Sequence, residues 1–502
     1  MKVASVLSRE LLGREVFVFF LLATVVYVLP LILVDYYYID DNWRSLAAGT
    51  GWAGQGRLLV ELFYNALSFT SGAPDMFPLP LLIATFAMAF ALTKLTKHYY
   101  KTPTVSCCLV LLPLWYNPFF LQNLSYQYDG PATALSLVAV IYAMAFQHKA
   151  GVVQVLVPGV LIAAGLSLYQ LSINVFLGLC CIEFVRGINN KESLACLLSM
   201  AGVKALQWVA GLIIYFLLAY PLMTHERLEM IPFNASGLLL ILNNVGVLVG
   251  KIGLLFQGGN RWLAWVVVLF SVVGGGRVGR TITQGKETSL NKMLLFFLYF
   301  LMIVFLFFLV SGSALLFRFF NEGARTLLGF GVLLVFLFYL AHQWLVTVDA
   351  RLGVALIVPL LSMLSMSYAY GRVLNLQKEF GLNAEFSMAY DIASHQRLRE
   401  AKRIYMAINY SNSWLLGAKG SFEQIPVLKY ILNIDFYMLS ENFLRAGITN
   451  VVIENERRNA TLVGYQGYVP VVDSKFYSME TLKKTSNSGE IPPHTNRPVE
   501  PR

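Results

Sequence analysis

Apolar residues in this chain come in long unbroken runs, and each run is closed by a short polar or basic cluster. Val16 to Val34 carries no charge and is long enough to cross a bilayer as a helix. Comparable runs predict helices over about 76–93, 103–121, 131–147, 201–222, 261–276, 293–315, 327–346 and 352–371. From Ala150 to Ile182 there is again no charge, and the polar patch Ser167 to Ser172 divides the run. Two short helices meeting at a tight turn are expected there. Residues 56–69 place Leu58, Leu59, Leu62, Phe63 and Leu67 at helical spacing, which predicts an amphipathic helix along the interface. The apolar stretch 231–250 is interrupted by Asn243, Asn244 and three glycines, and is expected to be re-entrant or interfacial. The pattern describes an all-α polytopic membrane protein with about eleven transmembrane helices and no visible internal repeat.

From about 373 the pattern changes. Residues 385–402 read as a polar helix, 404–408 and 451–453 as strands, and 424–446 as helical stretches between them. A small C-terminal α/β domain on the periplasmic side is expected over 373–484, after a membrane domain over 1–372. The tail 485–502, rich in Ser, Asn, Pro and Glu, is expected to be disordered.

Composition agrees with the pattern. The 502 residues are 57% hydrophobic and 13% charged, against about 25% charged in a soluble domain. The net charge of +10 does not mark a nucleic-acid surface, because the basic residues stand in clusters between apolar runs. Lys2, Arg9 and Arg14 place the N-terminus inside, and Arg277, Arg280, Lys286 and Lys292 form the strongest cytoplasmic cluster. No small-residue cleavage site follows the first run, so a retained helix is expected rather than a signal peptide. The five cysteines lie in or beside apolar runs without CxxC spacing, which indicates neither a zinc site nor a disulfide framework.

The candidate chemistry lies at the outer ends of these helices. The first run delivers Tyr36-Tyr37-Tyr38-Ile39-Asp40-Asp41-Asn42-Trp43-Arg44, followed by Gly49, Gly51, Gly54, Gly56, Arg57 and Glu61. Adjacent carboxylates at a lipid boundary repel each other and lose hydration, so a pair there needs a reason. The next outer loop carries Gln127, Tyr128 and Asp129, and later ones carry His225, Arg227, Arg318 and Arg325. A carboxylate can take a proton from a hydroxyl, and arginines can hold a phosphate and stabilise its charge as it leaves. Each residue also has a plainer role. Arg44 and Arg57 can snorkel to head groups, and Glu61 can pair with Arg57. Asp129 can cap a helix, and Arg318 and Arg325 can pair with Glu322. His225 and His342 read as structural. Together these residues point to outer-face chemistry or binding on an anionic lipid head group. A transporter or flippase would place charges at mid-membrane and often shows inverted repeats, a membrane acyltransferase would want a histidine base, and an envelope scaffold would tolerate loss of the aspartates.

The motifs Tyr38-Ile39-Asp40-Asp41, Gly56-Arg57-Leu58-Leu59, Asn123-Leu124-Ser125-Tyr126-Gln127-Tyr128-Asp129-Gly130-Pro131, Leu168-Tyr169-Gln170 and Ala324-Arg325 resemble, in their order and spacing, the phage-type O-antigen glucosyltransferases. These form the type II glucosyl transferase family of serotype conversion, similar to the GT-C enzymes. The resemblance implies a GT-C-like fold in the bacterial inner membrane with its active site facing the periplasm. The implied donor is undecaprenyl-phosphate glucose and the implied acceptor a sugar hydroxyl of lipid-linked O-antigen, with inversion. It makes Asp40 or Asp41 the base, with Asp129 assisting; the outer-loop residues Arg44, Arg57, Glu61, Gln127, Tyr128, Arg318 and Arg325 are the candidates for substrate contacts. A basic residue is expected between the two tyrosines of the second loop, where this chain has Gln127. No cofactor and no metal is implied, although an acid pair offers oxygen ligands that a divalent cation accepts.

Overall fold

The computed structural model describes residues 9–224, 229–400, 404–406, 415–432 and 440–453. They fall into two bodies, 1–374 with 420–433, and 375–419 with 434–502. The helices of the first body are α1 (Gly13–Val34), α2 (Asp41–Ala47), α3 (Leu58–Ser68), α4 (Leu79–Tyr99), α5 (Val105–Leu111), α6 (Phe120–Ser125), α7 (Asp129–Ala145), α8 (Gly151–Leu168), α9 (Ser172–Asn189), α10 (Leu194–Leu218), α11 (Ala235–Gly253), α12 (Arg261–Gln284), α13 (Ser289–Phe308), α14 (Phe330–Val348) and the start of α15 (Ile357–Ser394).

Among the described residues ten helices are long and apolar enough to cross a membrane, so this is a multi-pass membrane protein. Inside the bundle several threonines turn back on their own helices. Thr24, Thr85, Thr93 and Thr96 each donate to the carbonyl four residues earlier, which pairs these four hydroxyls in an apolar setting. Where one helix was expected over 103–121, the backbone breaks into α5, a 3-10 turn at Leu112–Leu114 and α6. Pro113 and Pro118 lack the amide that a continuous helix needs. The Asn117 carbonyl in the break accepts from the Phe120 amide at 3.0 Å and from the Tyr27 hydroxyl at 3.1 Å.

Contacts define the two ends of the bundle. At one end α4 meets α9, the Ser106 hydroxyl meets His342, Lys204 donates to the Met144 carbonyl and Arg277 to the Gln343 carbonyl. At the other end the loop after α1 meets the loop before α7, and the α8–α9 turn meets α10 and Arg325.

The segment expected to be re-entrant or interfacial forms one continuous helix, α11, which is among the ten by length and composition. Its contacts decide otherwise than its length. Met230 just before it bridges Phe317, Asn244 at its middle donates to the Leu315 carbonyl at 3.1 Å, and Lys251 near its far end pairs with Glu322 at 3.1 Å. All three partners lie in the single connection between α13 and α14. The helix therefore lies across one end of the bundle. With α11 set aside, and the shorter apolar stretches Val105–Leu114 and Asp129–Ala145 counted, the described residues make about eleven end-to-end passes.

Residues 420–432, expected in the C-terminal domain, join this first body as α16 (Lys419–Gln424) and α17 (Val427–Leu432). Val427, Leu428, Ile431 and Leu432 are buried, and the Leu432 carbonyl accepts from the Tyr38 hydroxyl at 2.8 Å.

α15 continues through position 373 without a break, merging two helices that composition separates. In the second body the strands Ile404–Met406 and Val451–Ile453 pair in parallel. Two three-residue strands do not make an independently stable sheet, so the described residues do not support the expected α/β domain. Residues 454–484 and the tail 485–502 lie outside the described residues.

Candidate functional site

The two adjacent aspartates have separate surroundings. α1 ends at Asp35 in the left-handed region, the chain turns through Ile39, and α2 starts at Asp41. Asp41 is 1% exposed. Its carboxylate accepts the amides of Tyr38 at 3.0 Å, Gln127 at 2.8 Å and Tyr128 at 3.2 Å. Burial pushes its carboxyl well above the usual range, and the three amides oppose that shift. These bonds lock the α1–α2 loop to the α6–α7 loop. Gln127 adds to the lock by donating to Asp35 at 2.9 Å. Asp40, one residue earlier, is only half-buried.

Other residues expected to bind substrate also hold this framework. The Arg44 guanidinium is buried between the rings of Trp43, at 4.5 Å, and Trp52, at 4.0 Å, and donates to the Gly49 and Thr50 carbonyls. A Cβ on Gly49 would lie 2.0 Å from the Trp43 ring, so the stack requires glycine there. Glu61 accepts the Ala53 amide at 3.2 Å and is not paired with Arg57. The Tyr128 carbonyl accepts from Tyr64, whose ring stacks on Trp52.

A second set is joined by side-chain contacts at the same end. Asp129, in the first turn of α7, accepts from the Trp52 indole at 2.6 Å, and its carboxylate lies 3.8 Å from Arg57. Arg57 donates to Gln170 at 3.3 Å and sits over the Tyr169 ring at 5.0 Å. The Tyr169 hydroxyl donates to the Arg325 carbonyl, and the Arg325 guanidinium donates to the Tyr126 hydroxyl at 3.1 Å. Tyr126 first, then Tyr169, Asp40 and Asp129, raise Arg325 above its ordinary value against the cost of burial. Asp40 and Asp129 are thus both within electrostatic range of one guanidinium that stays charged. Gln122 fixes that arginine by accepting its amide at 2.6 Å while donating to Tyr38 at 3.2 Å.

Arg318 does not join this group. It pairs with Glu229 at 3.1 Å, both more than half exposed, and Glu322 pairs with Lys251 rather than with either arginine. His225 and Arg227 lie outside the described residues. His342 bonds Ser106 at the opposite end. Trp52, Gln122, Tyr126, Tyr169 and Gln170 are not among the site residues expected from the sequence, because aromatic and amide side chains at a membrane edge look like ordinary packing; of these five, Tyr126, Tyr169 and Gln170 stand within the motifs named above. Among the described residues no group of three or more His, Cys, Asp or Glu side chains is placed to hold a metal ion.

The family model for the glucosyl transferase GtrII matches residues 29–336, more than half of the chain. The chain belongs to the GtrII family. The GtrII match starts within α1 and ends within α14, so it contains Asp40, Arg57, Asp129 and Arg325. The chain is also similar to an uncharacterized 55.3 kDa protein in the gtrB 5' region of Salmonella phage P22. The two are 29% identical over 204 residues, which is 40% of this chain and 41% of that protein's length. No solved structure matches.

Proposed function

We propose that this GtrII-family protein transfers glucose from undecaprenyl-phosphate glucose to a sugar hydroxyl of lipid-linked O-antigen, at the periplasmic face of the bacterial inner membrane. The observation that supports this reading is the Asp129 carboxylate 3.8 Å from Arg57, linked through Tyr169 to Arg325, with Asp40 in the loop beside them. Two carboxylates can take and orient a proton, and two guanidiniums suit a phosphate leaving group. Charge supports this side: Lys97, Arg186, Lys204, Arg277 and Arg280 stand toward the opposite end, and an excess of Lys and Arg favours the cytoplasm.

Asp40 is the base in this reading, because the lone pairs of Asp41 are committed to three backbone amides. The acceptor hydroxyl gives its proton to Asp40 as its oxygen bonds to the anomeric carbon. The bond from that carbon to the phosphate oxygen breaks, and the electron pair leaves on the polyprenyl phosphate. Attack opposite the leaving group inverts the configuration. Arg57 and Arg325 stabilise the departing phosphate, and Asp129, held by Trp52, orients Arg57 and the sugar.

The test is glucose transfer by the full chain supplied with undecaprenyl-phosphate glucose and O-antigen lipid. Asp40→Asn is expected to lower turnover about 100-fold or more, the usual scale for a lost general base. A near-normal rate in that variant would remove Asp40 from the mechanism, and a retained anomeric configuration in the product would remove direct displacement.

A further inference from the structure

An apolar groove of about 470 Å³ opens on the flank of the bundle between α3, α7 and α8. Leu62 and Phe63 line it from α3, Val138, Ala139 and Tyr142 from α7, and Leu161 from α8. The position of its walls is informative. α3 is preceded directly by Arg57, α7 begins with Asp129, and α8 ends at Leu168, next to the Tyr169 and Gln170 that contact Arg57. All three walls therefore lead to the same polar cluster. On the inner side Leu59, Phe63 and Leu135 pack on a buried apolar group that includes Leu168, Tyr64, Tyr128 and Trp52, and the Trp52 indole bonds Asp129. Tyr142 stands 13 residues along α7 from Asp129, which puts the far end of the groove about 20 Å below the carboxylate.

We propose that this groove seats the isoprenoid tail of the sugar donor, with the phosphate at Arg57. The inference rests on the functional reading above and adds to it the place where the carrier enters from the bilayer. Arg57 carries the matching charge: it lies 3.8 Å from Asp129, longer than a hydrogen bond, and keeps guanidinium donors for a phosphate. The groove has no charged lining residue, so it offers a prenyl chain dry contact along its length.

The experiment compares two donors on the full chain in lipid vesicles: undecaprenyl-phosphate glucose, and a two-isoprene analogue too short to fill the groove. Wild type is expected to show the lower KM with the long donor. Ala139→Trp, which fills the groove from α7, should raise KM for the long donor about tenfold and move KM for the short donor by less than about twofold. Leu62→Trp, on the half-exposed lip, should do the same, so the result does not hang on one variant inserting normally. Equal KM for the two donors in wild type overturns the proposal. Unchanged KM for the long donor in the Trp variants also overturns it, and makes the groove a seat for ordinary bilayer lipid. Equal rises for both donors would mean that the variants disturb Arg57 and that no tail lies there. If wild type transfers glucose from neither donor, the functional reading fails first, before any variant is made.

Discussion

Asp40 and Asp41 are chemically identical neighbours with different surroundings, Asp41 buried and Asp40 half-buried. Asp41 satisfies three backbone amides across two loops, so Asp41→Asn turns an NH2 group towards donors that need an acceptor. That variant should lose about 1–3 kcal/mol of stability, seen as a lower Tm of the detergent-solubilised protein. Asp40→Asn should leave Tm unchanged while activity falls; a matching loss of Tm in both variants would refute the division of roles. The arginines divide in the same way. Arg325 is half-buried against Tyr126, and Arg325→Lys keeps the charge but not the planar donor set, so turnover should fall about 10-fold to 100-fold. Arg318 is solvated beside Glu229, and Arg318→Ala should change turnover by less than about twofold, as expected for an exposed pair. Equal losses in the two variants would place Arg318 in the site after all. In the sequence these four residues looked alike, since nothing local tells a buried side chain at a membrane edge from a solvated one.

Among the elements, the start of α7 shows how tightly the site is built. A Cβ on Gly130 would come within 2.6 Å of the Asn123 carbonyl oxygen and 3.3 Å of the Leu124 Cα, both backbone atoms that cannot swing away. Gly130→Ala is expected to cost about 1–3 kcal/mol and to displace Asp129, lowering both Tm and activity. A variant with wild-type Tm would show that the loop has room to yield. α11 makes the complementary point. Its apolar composition suits a membrane span, while the contacts at both of its ends are with the α13–α14 connection. Nitroxide labels at Ser236 and Gly250 should therefore report similar depths in the bilayer. Labels on opposite membrane faces would make α11 a span and change the parity of everything after it. The interruptions at Asn243 and Asn244 did signal an unusual segment. They could not show that Asn244 uses its amide to bind Leu315, because that partner is 71 residues away.

At the scale of the whole molecule, about eleven passes put position 373 on the side opposite the N-terminus. With the basic clusters at the far end, a phosphatase reporter fused after 373 should be active in the periplasm, and activity of a cytoplasmic reporter there would contradict the assigned sides. The sequence by itself determined that the chain is a bundle of membrane helices, roughly where each helix lies, and in which loops the acids and arginines gather. Hydropathy and charge bias act residue by residue along a helix, and the bilayer reads them without reference to the rest of the fold. Only the tertiary structure decided which aspartate is buried, which arginine faces the polar cluster, that α11 lies flat, and that 420–432 returns to the membrane body. Each of those outcomes depends on partners far apart in the chain: Asp41 meets the Gln127 amide across 86 residues, and Tyr38 meets the Leu432 carbonyl across 394. Such pairings form only when distant segments are brought together by packing, and no local pattern of residues records them.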